Sequence, residues 1–424
     1  MDKSLDSERP LRIAHFIHRY PPALGGSEDY FARLSSFLKE QGHEVTVHTT
    51  TALDLEAFWQ PDRKQVSPGL SLVGGARAHR HRLLHFPGQR YVLKLLSLLP
   101  LGRWRCLCMA HNPIAPSMWS VAERAKTRPD VVHATAFPYG WPLMCAWRMA
   151  RRHQVPFVLT PFLHAGDPEN PNDPTRRGYT QPALISLAKS AAAILAQTPV
   201  EKSVLVACGI DSQKIHVQGM GVDVENCTGG DRSRARATWG IAENEIVIGH
   251  LANNSWQKGT EDLLRASAKA QQRGVEHRLV LAGPQMSGFL RFWKRFSQRR
   301  HARLLGPLSE QEKKDFFAAL DVFALPSRSD SFGIVLLEAW VNGVPNVGYR
   351  AGGIADVIRH QQDGLLVRCG DVEGLSEALI TLARNREMRQ RFGQAGQARA
   401  LRDFRWPDKL MQVETLYRDL ARSQ

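Results

Sequence analysis

The chain has 424 residues, 43% hydrophobic and 23% charged, ordinary for a soluble globular protein but too long for one core, so two domains are expected. Its formal charge of +15 calls for an anionic partner or surface. No apolar run is long enough to span a bilayer, MDKSLDSERP lacks the build of a signal peptide and the six cysteines are scattered, which excludes a membrane-spanning chain or a disulfide scaffold and predicts a cytoplasmic protein.

In chain order, LRIAHFIH (Leu11 to His18) reads as a buried strand and RYPPALGG as a loop. Ser27 then caps a helix whose apolar positions Tyr30, Phe31, Leu34, Phe37 and Leu38 recur at helical spacing. Gly42 closes it and HEVTVHTT is the next strand, completing a βαβ unit that points to a parallel sheet covered on both faces. The segment from Arg77 to Arg105 mixes Arg and Lys with a block of leucines, and a second basic, aromatic segment runs from Arg291 to Arg303. Each fits a solvated face with some core leucines, a nucleic-acid surface, or an anionic membrane surface; the leucines of the first favour the membrane. Cys106 and Cys108 have no second Cys/His pair at zinc spacing, so they read as inert thiols rather than a metal site.

Further strands are predicted at Asp130 to Ala136, Pro156 to Phe162 and Ala191 to Gln197. The Gly-rich, charged stretch from Gly219 to Gly240 reads as an interdomain linker. A second alternating series follows: Glu245 to Ala252, His277 to Gly283, Arg303 to Leu308, Asp321 to Ser327, Val344 to Tyr349 and Asp363 to Val367. The expected architecture is α/β, two Rossmann-like doubly wound domains facing a central cleft, where loops at the carboxyl ends of the strands hold ligands. The domains are residues 1–222 on the acceptor side, joined by a C-terminal helix over 405–424 that packs back on it, and residues 223–404 on the donor side.

The sequence SDSFGIVLLEAWVNGVP (Ser329 to Pro345) brackets an apolar helix with two carboxylates. A helix starting near Phe332 offers unpaired N–H groups and a positive dipole end to phosphate, with Asp330 before it and Glu338 within it. Taken alone, an Asp near a cap and a Glu on a helix edge are also plain structure. With Gly352 and Gly353 in RAGGIADVI and the later DGLLV, however, the stretch resembles the donor-binding half of GT-B-fold retaining glycosyltransferases, above all the large family four. The resemblance extends over essentially the whole chain. It implies that Glu338 holds the donor ribose, that the first acid contacts sugar hydroxyls, and that the Phe332–Gly333 backbone approaches phosphate, with Ser331 also in the donor site. That first acid is usually Glu; here it is Asp330, one methylene shorter.

A second match is IGHLANNSWQKGTEDLL, where Lys258 before Gly259 takes the place of the cation that neutralises a leaving diphosphate. The family's Arg is replaced by His250, a weaker phosphate partner. Gly25 and Gly26, ahead of the first helix, let a ligand approach the backbone, and the resemblance implies that this loop binds the donor phosphates and borders the acceptor; without a GxGxxG, an NAD site has little support. His164, after a strand and before a Gly/Asp/Pro-rich loop, matches a histidine that lines the reaction site in relatives, with Asp167 as a neighbour and His133 and His18 as further cleft candidates.

The expected protein is therefore a metal-independent, retaining transferase that takes a nucleotide diphosphate sugar as co-substrate, without a resident cofactor. Its acceptor would be a saccharide or a lipid-linked glycan of surface polysaccharide or glycoconjugate synthesis. Residues His164, Lys258 and Asp330 would be catalytic, and an anionic membrane surface a further partner through Arg77–Arg105, placing the protein on the inner face of the cell membrane. No nucleic acid is expected. A nucleotide-sugar epimerase of the same fold would leave the basic amphipathic segment without a purpose, and a nucleic-acid-binding protein would leave Asp330, Glu338 and Lys258 unexplained.

Overall fold

A computed structural model of the chain describes residues 9–423. The chain divides into two compact units: the first runs through Leu163 and includes Arg176–Gln218 and Leu410 onward, and the second comprises His164–Thr175 and Gly219–Lys409. A single cut after residue 222 would thus leave twelve residues beginning at His164 with the wrong partner, because that loop makes its contacts within the second unit.

The first unit is built on eight strands: β1 (Arg12–Phe16), β2 (Glu44–Thr50), β3 (Gly69–Val73), β4 (Ala76–His81), β5 (Val131–Ala134), β6 (Phe157–Leu159), β7 (Ala193–Ala196) and β8 (Ile215–Val217). Their order is β3-β4-β2-β1-β5-β6-β7-β8, parallel throughout except for the β3–β4 hairpin. Strands β5, β6 and β7 are buried along their whole length, the reason they read as apolar runs rather than alternating ones. The helix Gly26–Glu40 begins one residue before Ser27, so Gly25 occupies the cap position and no side chain caps it. Ser27 was the expected cap, but its hydroxyl donates to Glu28 at 2.7 Å instead. The last helix, Trp406–Arg422, buries Leu410, Val413 and Tyr417 at helical spacing, and the Tyr417 hydroxyl lies 3.2 Å from His15 Nε2 of β1.

The second unit holds β9 (Val247–Leu251), β10 (Arg278–Ala282), β11 (Ala302–Gly306), β12 (Val322–Leu325), β13 (Asn346–Tyr349) and β14 (Gly364–Val367), all parallel, in the order β11-β10-β9-β12-β13-β14. The chain winds outward one way from β9 and then resumes on its other side at β12, so the order reverses between these two strands. The stretch from Gly219 to Gly240 is no free linker. It forms the helices Val224–Cys227 and Arg232–Trp239, and buried Arg236 bonds Asp321 Oδ2 at 2.8 Å and the Ala319 carbonyl at 2.9 Å. Its polar, Gly-rich composition serves these ion pairs and turns rather than flexibility.

The second basic segment also resolves into ordinary structure. The helix Ser287–Arg295 buries Phe289, and Phe292, Trp293 and Phe296 pack against the core of the second unit, with the cations outward.

Candidate functional site

In a doubly wound sheet, the loops leaving the two strands at the point of reversal diverge and open a crevice at their carboxyl ends. In the second unit those are the loops after β9 and β12. The first carries Lys258 and the second Asp330, and Lys258 Nζ lies 2.7 Å from Asp330 Oδ2. Both side chains keep contact with solvent, at 26% and 16% exposure. A salt bridge this accessible leaves its cation open to exchange for a stronger anion.

Backbone packing holds these loops in place. Gly259 has φ +71°, and a Cβ there would collide with the Pro326 carbonyl, so only glycine joins Lys258 to the helix Thr260–Gln272. The Gly353 N–H donates to the Asp330 carbonyl at 2.8 Å, and a Cβ on Gly352 or Gly353 would strike the Asp330 or Ser331 backbone. The paired glycines thus allow a loop to press against the acid-bearing one. The helix itself spans Ile334–Val341 behind Gly333 in the left-handed region (φ +85°), two residues later than the start expected at Phe332. Phe332 is buried and packs edge-on to Phe404.

His164 joins the same loop. Its Nδ1 lies 2.7 Å from Ser329 Oγ, one residue from Asp330. Burial and the Lys258 ammonium lower its pKa to about 4, against an opposing pull from Asp330, so the ring is neutral near pH 7. Asp167 Oδ1 accepts the Glu169 N–H at 3.0 Å, and the Gly166 carbonyl accepts the Gly352 N–H at 2.8 Å, tying the His164 loop to the glycine pair. Glu338 is buried inside its helix and takes an ion pair from Lys313.

His250 does not extend this constellation. It is fully buried; its Nδ1–H donates to the Ala324 carbonyl at 2.8 Å and its Nε2 accepts from Thr260 Oγ1 at 3.0 Å. Both ring nitrogens being taken, and its pKa lowered to about 4 by burial, the ring has no free atom for a phosphate. It instead braces the Lys258–Gly259 turn through Thr260, whose oxygen also accepts the Ser255 N–H at 3.2 Å. Arg328, which the sequence alone did not single out, pairs with buried Asp262 and lies 4.4 Å over the Trp256 ring. A cation two residues before the first acid was the signal available.

The first unit has its own reversal point, between β1 and β5. There Arg19 and His18 meet Glu28 at 2.6 and 3.3 Å, and His18 stacks on Tyr139 with centroids 4.2 Å apart. Gly25 and Gly26 precede this cluster; a side chain at Gly25 would collide with the Glu28 carboxylate. Burial works to raise the Glu28 pKa, but His18 and Arg19 hold it down at about 2. His133 is not at a crevice: it is fully buried between Tyr417 and Thr160, with both ring nitrogens bonded. Cys106 is a buried thiol, its pKa pushed up to about 12 by burial, and among the described residues no cluster of His, Cys, Asp and Glu could hold a metal ion.

Residues 231–399 match the family model described as glycosyl transferases group 1, and residues 25–221 match that of a glycosyl transferase 4-like domain. A D-inositol 3-phosphate glycosyltransferase of Kribbella flavida is 30% identical over 65% of this chain and 68% of its own length. A sulfoquinovosyl transferase of Arabidopsis thaliana is 28% identical over 91% of this chain and 69% of its own. An N-acetyl-alpha-D-glucosaminyl L-malate synthase of Bacillus anthracis is 31% identical, but over 45% of this chain and half of that protein. Among solved structures, Anabaena HepE in complex with UDP-glucose superposes with a TM-score of 0.69 at 20% identity, covering 96% of this chain and 99% of its own. Sucrose-phosphate synthase of Thermosynechococcus elongatus gives 0.71 at 18%, covering 97% and 100%. At such identities these two share the fold.

Proposed function

The chain belongs to the group 1 glycosyl transferases, enzymes of GT-B fold, and from that premise we propose that it moves a sugar from a nucleotide diphosphate sugar to an acceptor with retention of configuration. The observation that carries the reading is the Lys258–Asp330 pair at the reversal point of the second sheet, with His164 on the adjoining Ser329. Breaking the bond from the anomeric carbon to the diphosphate leaves positive charge on the sugar and negative charge on the leaving group. Lys258, released from Asp330, faces the negative charge together with the N–H groups at the start of the Ile334–Val341 helix. Those two sources do the work for which other transferases use a divalent cation, so the reaction needs no metal.

Asp330 then turns to the sugar hydroxyls and Glu338 accepts from the ribose hydroxyls, exchanging its bond to Lys313. The neutral His164 ring presents a hydrogen-bonding edge beside the sugar without adding to the charge there. No carboxylate nucleophile is assigned. The Ser331–Gly333 backbone borders the phosphates, and the first unit, with Gly25 and Gly26 at its own reversal point, presents the acceptor. That acceptor is a saccharide or a lipid-linked glycan. One relative, named as a D-inositol 3-phosphate glycosyltransferase, supports an acceptor with anionic character.

A thermal melt with UDP, GDP and ADP tests the donor reading. One of them at about 100 times its Kd should stabilise the fold by ~2.7 kcal/mol, since a ligand of the native state alone must do so. Stabilisation by RNA or DNA, with none from any nucleotide diphosphate, would refute it.

A further inference from the structure

Between Asp62 and Glu123 the chain carries nine Lys or Arg residues and no Asp or Glu. The middle of this interval folds into the helix Gln89–Leu96 and the turn that follows. Gln89 and Leu93 anchor the helix inward. The opposite side leaves Tyr91 81%, Leu95 67% and Leu98 73% exposed, and Val92, Leu96, Leu99 and Leu101 are exposed beside them. Seven large apolar side chains are thus exposed within eleven residues, far denser than singly scattered surface leucines.

The cations take a separate stripe of the same helix. Arg90 and Lys94, one turn apart, line a cavity of about 520 Å³ together with Ser97, His111 and Gln181, and no acidic residue lines it. The cavity wall is preformed: Arg90 lies 4.8 Å over the Trp59 ring and donates to His111 Nε2 at 2.9 Å, while His111 meets Trp59 edge-on at 5.3 Å. Beyond the turn, Trp104 stands 39% exposed at the rim of a cluster with Trp119 and Trp147, where Arg103 and Arg148 lie over the indole rings. Indole and guanidinium side by side suit the water–lipid boundary.

We infer that this face docks on a bilayer bearing anionic phospholipids, with Leu95, Leu98 and Tyr91 entering the acyl boundary and a lipid phosphate seated between Arg90 and Lys94. Charge complementarity selects this occupant: an apolar arc bordered only by cations matches a surface that is apolar inside and negative at its headgroups. A nucleic acid would match the cations but gain nothing from seven exposed aliphatic and aromatic residues. No described helix is long and apolar enough to cross a membrane, so the face lies on the bilayer. The inference is independent of the donor reading, since it concerns different residues and a binding event that needs no nucleotide.

The test is flotation of the full chain with vesicles of phosphatidylcholine alone and of phosphatidylcholine with phosphatidylglycerol. Binding should require the anionic lipid and fall as salt rises, because screening weakens surface attraction. Arg90→Ala/Lys94→Ala should weaken partitioning about tenfold to thirtyfold. Leu95→Gln/Leu98→Gln should abolish flotation without moving the melting temperature, both side chains being exposed. Leu70→Gln/Leu72→Gln, equally exposed on β3, is the control and should float like the wild type. Equal binding to both vesicle types, binding to neither, retention on RNA in place of vesicles, or undiminished flotation of the Leu95/Leu98 variant would each overturn the inference. If that variant fails to fold, the Arg90/Lys94 pair and the salt dependence decide.

Discussion

The two sheets each reverse their winding at one point, and near each point a cation meets a carboxylate: Arg19 with Glu28 of the helix that follows it in the first unit, and Lys258 with Asp330 from two adjacent loops in the second. The distances are nearly the same, 2.6 and 2.7 Å, but the surroundings differ. Glu28 is 2% exposed and Arg19 11%, and the pair is completed by His18, whereas Lys258 and Asp330 remain in reach of solvent. One topology therefore yields two uses of an ion pair. Sealed from water, the pair fixes the entry to the first helix; open to water, it can trade its internal partner for a ligand.

The largest expected effect tests the sealed pair. Glu28→Ala leaves Arg19 buried without its counter-charge, and His18 without its carboxylate partner, and should cost about 3–5 kcal/mol in urea unfolding. A loss below about 1 kcal/mol combined with lost transfer would mean that Glu28 works on a substrate, and the contrast between the two sites would collapse. For the open pair the currency is rate. Lys258→Ala should lower turnover by about two to three orders of magnitude while leaving the melting curve close to wild type. Turnover near the wild-type rate with any identified donor removes Lys258 from the leaving group.

Glu338→Gln comes next, with nucleotide diphosphate binding weakened by ~1–3 kcal/mol, as an amide accepts a ribose hydroxyl less strongly than a carboxylate. Calorimetry that returns an unchanged Kd would strike out the ribose role. The smallest effect belongs to pH. An unfolded chain protonates His164 near the ordinary 6.5 and the folded chain only near 4, so the unfolded state binds more protons between those values. Stability from this group is therefore complete above 6.5 and is lost as pH falls toward 4. His164 should titrate by NMR near 4; a midpoint near 6.5 would show the ring open to water and unlike the enclosed residue at Ser329. His164→Ala should correspondingly flatten the acid limb slightly, reduce transfer, and leave nucleotide affinity within a few-fold.

The two basic segments carry the same lesson on the surface. Arg77–Arg105 and Arg291–Arg303 both mix cations with large apolar side chains, and nothing in their composition separates a core-facing helix from an uncovered one. Phe292, Trp293 and Phe296 found a partner in the core of the second unit; Leu95 and Leu98 did not. Periodicity locates an apolar stripe but is silent on what lies across from it.

What the sequence determined by itself was the alternation of strands and helices, since buried parallel strands demand apolar runs and their crossovers demand amphipathic helices. It also marked Lys258–Gly259, Asp330, Glu338 and Gly352–Gly353, because close backbone approach tolerates only glycine and charge beside a helix start is uncommon without use. Tertiary structure decided the rest. It put His164 with the second unit through Ser329, turned His250 and His133 inward by giving both ring nitrogens partners, and folded Gly219–Gly240 around Arg236. The physical reason is common to all three: a polar side chain is functional or structural according to whether residues distant in the chain satisfy its hydrogen bonds, and that is settled only when they meet.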